Sequence, residues 1–202
     1  MTITTRRAGA IVAAALIVTV ITQIVYFTVL AETGIVEGWP LRSALWTIEV
    51  LAFALMAVAA LAAMARDADR SLIWSALAVS AFINVIQAGI GLSMFLPAMQ
   101  AGEAFAPLMG TLVAGAFLFY FLAKLLIGLA AMGFGLILFR DARASVKAFG
   151  ALTVVAGLAA AAANLAALPQ GTALILAGGA TGTLAALVTG IAAFVITRGE
   201  ED

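Results

Sequence analysis

Six polar side chains stand inside long apolar runs of this chain: Gln23, Glu49, Asn84, Gln87, Lys124 and Asn164. A charge near the middle of a bilayer costs about 2.5–3.5 kcal/mol on insertion scales, so groups placed there mark ion or solute pathways, or pairs that pack helices. Glu49 and Lys124 are opposite in sign and form the natural ion pair. The four amides are of the kind that bridge to such a pair, because each needs a partner in hydrocarbon. Asn84 and Gln87 are three residues apart and share one helix face. Glu49 could also act as an acid or base with Lys124 as its electrostatic partner. Other chemistry is thinly provided for. The chain has no His and no Cys. That removes His-ligated haem, the usual zinc and copper sites, the Ser-His dyad, thiolate nucleophiles and iron–sulfur clusters. We assign no catalytic residue and no metal ligand, and we expect no cofactor.

The spacing adds a second observation. Gln23 lies 16 residues past Arg7, Glu49 17 before Arg66, Gln87 17 past Arg70, Lys124 16 before Arg140, and Asn164 17 past Lys147. At 1.5 Å per helical residue all five sit about 24–26 Å from one set of basic flanks. This is a polar layer roughly two-thirds of the way across a membrane. Three readings compete. Lys124 could snorkel outward beside Tyr120, with Glu49 near the outer interface. A buried Glu–Lys pair with its amides could fix helix packing and register. Or the layer could line a cavity that binds a solute, ion or proton.

These residues need elements to position them. The 202-residue chain is 65% hydrophobic and 10% charged, against about 45–50% and about 25% for a soluble domain. That excludes a soluble globular domain and a disordered chain. Crossing about 30 Å of hydrocarbon takes roughly 20 apolar residues. Charged and Pro/Gly punctuation divides the chain into six spans at about 8–30, 41–65, 72–96, 107–139, 148–168 and 172–197, closed by the acidic tail Glu200, Glu201 and Asp202. The third span is expected to close at Pro97. The first apolar stretch, about 23 residues, exceeds the 7–15 of a signal-peptide core, so it reads as an uncleaved helix. The runs are continuous and Ala-rich rather than alternating, which excludes a β-barrel. The fold class is all-α: a single membrane domain, a polytopic six-helix bundle.

Orientation follows from the loops. Eight of the ten basic residues (Arg6, Arg7, Arg66, Arg70, Arg140, Arg143, Lys147 and Arg198) flank one side of these spans. Arg42 alone falls on the other. The positive-inside rule puts both termini in the cytoplasm of a cell whose plasma (inner) membrane holds the protein. The fourth segment is too long for one ordinary span. It reads as a long helix projecting from the bilayer, with an interfacial or re-entrant segment as the alternative. Small residues crowd the later spans (Gly128, Gly133, Gly135, Gly150, Gly157, Gly178, Gly179, Gly182, Gly190) and predict close backbone packing, inside the bundle or between copies. The two three-span halves do not match in sequence, so nothing argues transport from symmetry.

The layout resembles an uncharacterised family of six-span bacterial membrane proteins, a domain of unknown function. The likeness lies in Arg6-Arg7-Ala8-Gly9 leading into the first span, in Trp46-Thr47-Ile48-Glu49, and in Leu138-Phe139-Arg140 leading to Phe149-Gly150. It implies a six-span topology and no activity. The expected partners are the lipid bilayer, a small solute or ion, and a protein partner or second copy. No basic run with interleaved aromatics points to nucleic acid. The functional expectation is a small inner-membrane protein that binds or transports a small solute or ion through a polar cavity in the outer half of the bundle. The alternative is an accessory, scaffold or assembly subunit with a structural Glu–Lys pair. A third reading, an intramembrane enzyme, is disfavoured by the missing His and Cys.

Overall fold

The computed structural model describes residues 3–199, and the acidic tail Glu200, Glu201 and Asp202 lies outside them. Every regular element among the described residues is helical. Helix α1 spans Thr5–Val29, α2 Trp39–Met64 and α3 Ser71–Ile90. A π turn, Gly91–Phe95, carries α3 directly into the short α4, Leu96–Gln100. Then come α5, Ala106–Phe139, α6, Ala144–Gln170, and α7, Ile175–Thr197. Short 3₁₀ turns join some of them, at Ala68–Arg70, Glu103–Phe105 and Gly171–Leu174.

Five stretches are long and apolar enough to cross a membrane: Thr5–Val29, Trp39–Met64, Ala68–Gln100, Ala106–Phe139 and Ala144–Thr197. The last holds 54 residues and is not a straight rod. Gly171 takes φ +59°, a left-handed value that suits glycine, and the chain folds back there. Asn164 Nδ2 donates to Gly178 O at 3.2 Å. In a continuous helix those residues would stand about 21 Å apart. So α6 and α7 are two arms packed side by side.

The third stretch departs from expectation. Pro97 does not close it; the helix runs on to Gln100. Proline lacks an N–H and its ring presses on the carbonyl four residues back. The wider π turn just before Pro97 relaxes the helical bonding there. The fourth segment is one 34-residue helix, with Pro107 in its first turn where no N–H is needed. At 1.5 Å per residue it is about 51 Å long.

The interior is partly polar and the exterior apolar. Thr19, Thr22, Ser80, Asn84, Thr153, Asn164 and Thr189 are buried, while Leu51, Leu55, Val58, Val155, Leu158 and Leu165 are exposed. That arrangement is compatible with a bundle whose solvent is hydrocarbon. Most inward hydroxyls donate to their own helix, as Thr189 Oγ1 does to Ala185 O at 2.6 Å. The apolar core gathers Val12, Leu16, Met56, Trp74, Leu77, Ile127 and Phe134.

Small residues set the closest approaches. A Cβ on Gly128 would stand 2.8 Å from Gly157 O, and one on Gly135 would stand 2.9 Å from Gly150 O. Along antiparallel α5 and α6 the glycines therefore face each other in two pairs, seven residues apart on each helix. Helix α7 closes on α1, with Gly9 against Thr197 and a Gly190 Cβ site 3.3 Å from Ala13 O. Residues 9 and 197 thus share one end of the bundle. Trp74 packs edge-on against Phe134 there, ring centroids 5.1 Å apart. It also donates from Nε1 to Asp67 Oδ2 at 2.7 Å, which ties the α2–α3 turn to this arginine-rich end.

Candidate functional site

The two charges within the long apolar helices are buried, Glu49 at 3% and Lys124 at 2% exposure. Lys124 therefore does not snorkel to an interface. Nor does it pair directly with Glu49 among the described residues, which corrects the expected ion pair. Glu49 Oε1 accepts from Thr22 Oγ1 at 2.6 Å and from Gln23 Nε2 at 2.9 Å. Both donors come from α1, one residue apart, and clasp the carboxylate of α2. The Lys124 ammonium lies instead over the Tyr120 ring, 5.4 Å from its centroid. Tyr120 is one helical turn away on α5, the i, i+4 relation that stacks side chains on one face. Gly182 makes room: a Cβ there would stand 2.6–2.9 Å from Lys124 Cβ, Cγ and Cδ. The link between the charges is indirect. Tyr120 OH donates to Gln23 Oε1 at 3.2 Å, so Gln23 joins the carboxylate of α2 to the tyrosine beside the ammonium of α5.

The other sequence candidates divide. Asn84 donates to Ser80 O on its own helix at 3.1 Å. Ser80 Oγ in turn donates to Ala123 O at 2.9 Å, so this pair ties α3 to α5 next to Lys124. Gln87 is partly buried and its side chain makes no hydrogen bond among the described residues. Asn164 belongs to the α6–α7 fold-back. It donates to Ala160 O and Gly178 O, and its buried Oδ1 has no partner among the described residues. Gln23, Glu49 and Lys124 thus form the centre, and Asn84 supports it. Asn164 serves a separate lock.

Above Gln23 lies a cavity of about 210 Å³. Its wall includes Gln23, Tyr26, Phe27, Trp46, Phe95, Phe117 and Tyr120, with Ile35 and Ile175 toward the end away from the arginines. The aromatic rings pack on one another. Tyr26 stacks on Trp46 at 6.1 Å, and Phe95 meets Trp46 edge-on at 5.7 Å. The π turn matters here, since it ends at Phe95. It begins at Gly91, where a Cβ would stand 3.1 Å from the Trp46 ring. Such turns recur at functional sites. Arg42 backs the wall at 5% exposure, its guanidinium 5.0 Å over Tyr26. It donates to Tyr26 OH at 2.5 Å, to Leu30 O at 2.8 Å and to Thr33 O at 2.5 Å. Its Nε is buried without a partner among the described residues.

Sequence reasoning set Tyr120 beside Lys124, and Arg42 apart from the other basic residues, but missed their part in the site, along with Thr22 and the aromatic wall. Signals existed. Thr22 adjoins Gln23, Tyr120 lies one turn from Lys124, and Trp46 is three residues before Glu49. No protein-family model matches the chain, and neither a curated protein nor a solved structure matches it significantly.

Proposed function

We propose that the chain crosses the plasma (inner) membrane six times, with both termini cytoplasmic, and binds or passes a small solute through the aromatic-walled cavity in its outer part. The fold-back at Gly171 supports counting Ala144–Thr197 as two crossings. The eight basic residues at one side of the spans support the orientation. The topology agrees with the six-span family the sequence resembles. The observation that carries the binding reading is the shared residue Gln23. It lines the cavity and also holds the buried Glu49 carboxylate. A concave apolar site with a few convergent polar groups next to buried charge is the form small-molecule sites take.

A scaffold reading has one observation in its favour. The Thr22–Glu49–Gln23 clasp joins α1 to α2 as a packing lock would. Cysteine accessibility separates the two. The chain has no Cys, so each introduced thiol reports alone. Ala116 lines the cavity, whereas Ala130 sits in the apolar core. In detergent-purified protein Ala116→Cys reacts with a small neutral maleimide and Ala130→Cys does not. Equal inertness of both, in protein that elutes as a folded monodisperse species, leaves the scaffold reading standing and removes the binding one.

A further inference from the structure

We propose that the cavity takes the head of a neutral single-ring molecule bearing carbonyl acceptors and an apolar tail: a lipophilic quinone. The inference rests on the binding reading above and names its ligand class.

Charge comes first. An aromatic cage ordinarily suggests an organic cation. Here the Tyr26 and Tyr120 rings already carry the protein's own cations, Arg42 at 5.0 Å and Lys124 at 5.4 Å. Two formal positive charges and one negative surround the site, so a further cation is repelled. A carboxylate fares no better. The wall contains no basic residue, and Arg42 behind it directs its Nη groups to Tyr26, Leu30 and Thr33 rather than into the cavity wall. A neutral ligand remains.

Hydrogen bonding comes second. Tyr26 oxygen accepts from Arg42, and its own proton goes to no described residue. Trp46 Nε1 has no partner among the described residues, and only one of the two Gln23 amide protons is used, on Glu49. The uncommitted polar groups of the wall are therefore chiefly donors, and they match a ligand that accepts. At about 210 Å³ the space is below the roughly 300–1,000 Å³ typical of drug-sized ligands. It suits one substituted ring stacked among aromatics.

A third observation supplies the tail. Beyond Gln23 and Phe27, which serve both spaces as wall, lies a groove of about 490 Å³ between α1 and α7. Ile24, Ala31, Leu176 and Ala180 line it, and Ile24 and Leu176 are exposed on the outer surface of the bundle. A ring seated in the cavity can send an apolar chain past Phe27 into that groove, in contact with lipid.

Titration calorimetry on the full chain in nonionic detergent tests this. The probes are tetramethyl-substituted or dimethoxy-dimethyl benzoquinone without a tail, the dimethoxy-methyl ring with a decyl tail, choline and benzoate. We expect both quinone types to bind, the decyl form about tenfold tighter because its methylenes leave water or detergent for the groove. Choline and benzoate do not bind. Ala180→Trp, a change on an exposed helix face, removes the gain from the tail and leaves tailless binding unchanged. Gln23→Leu weakens both quinone types. Binding of choline or benzoate without the quinones overturns the ligand class and leaves the cavity a binding site. An equal tail gain in Ala180→Trp overturns the groove. Failure of every probe class, including the quinones, removes the ligand class, and inert Ala116→Cys alongside it removes the binding reading as well.

Discussion

Glu49 and Lys124 are buried by different means. The carboxylate is held by hydrogen bonds from α1, the ammonium by a ring face and a gap opposite Gly182. Their responses to substitution should differ accordingly. Glu49→Gln keeps an acceptor for Thr22 and Gln23 and should unfold near the native midpoint. Glu49→Leu leaves the Gln23 amide unsatisfied and should cost about 1–3 kcal/mol; denaturation in detergent measures both. Equal midpoints for the two variants would show that the clasp contributes nothing. Lys124 is tested by a cycle. Gly182→Ala places a methyl into the lysine stem and should cost about 1–3 kcal/mol by overpacking. In a Lys124→Ala background the same change should cost less, because Cγ and Cδ are gone and only the contact with Cβ at 2.9 Å remains. That Gln23 on α1 meets Glu49 on α2, and Tyr120 beside Lys124 on α5, was foreshadowed by their near-equal distances from the basic flanks, since helix rise is constant. The partner that Lys124 takes was not. Whether a buried lysine turns to a carboxylate or to a ring depends on which rotamer its neighbours leave open, and the gap came from Gly182, 58 residues away in sequence.

At the scale of elements, glycine position decides the sign of a substitution. On α5, Gly128 faces the α6 backbone at 2.8 Å, while a Cβ on Gly115 meets nothing within 4 Å. Gly128→Ala should therefore wedge the α5–α6 seam and destabilise by about 1–3 kcal/mol. Gly115→Ala should stabilise by up to about 1 kcal/mol through helix propensity alone. Thermal melts of the two variants check the contrast, and a loss in both would remove the seam as its cause. The start of α6 has its own bracket. Asp141 accepts from the Arg143 backbone N at 2.8 Å and from Arg143 Nε and Nη2 at 3.0 and 2.9 Å. The Arg143 side chain first, then its backbone N–H, holds the Asp141 carboxyl down at about 2. A depressed folded-state value gives stability that is present above the free carboxyl's titration near 3.8 and is lost as pH falls through about 2. Asp141→Asn should therefore lower the melting midpoint at neutral pH, with the difference from the native chain shrinking only below about pH 4. A difference that persists unchanged to about pH 2 would assign the loss to something other than ionisation. The helices themselves were legible from unbroken apolar runs. The passage of α3 through Pro97 was not, because the π turn that accommodates it leaves no mark in hydropathy.

For the whole molecule the question is how the ends of the bundle meet the two aqueous phases. Residues 9 and 197 abut, so the first and last helices finish at one end. Ile35 and Ile175 approach the same cavity near the other. Charge agrees with this division, because the basic residues flanking the spans collect at the first end and Arg42 lies at the second. The proposed even number of crossings rests on the alternation of charge along the sequence. The fold-back was readable in Pro169, Gln170 and Gly171, although the helix runs through Pro169 to Gln170 and turns only at Gly171. The aromatic cavity was not, since it is assembled from α1, α2, the π turn, α5 and α7, and no local pattern records that meeting. Single cysteines in the cysteine-free chain test the arrangement. Asp69→Cys and Ser145→Cys lie on exposed turns or helix starts of the arginine-rich end, Glu37→Cys and Thr172→Cys at the opposite end. A membrane-impermeant maleimide applied to the outer face should label Glu37→Cys and Thr172→Cys and spare the other two. Inside-out vesicles should reverse the pattern. Thr172→Cys decides most. If Ala144–Thr197 crossed as a single unit, position 172 would be shielded from both faces. If six crossings are correct, it reacts from outside as fully as Glu37→Cys does.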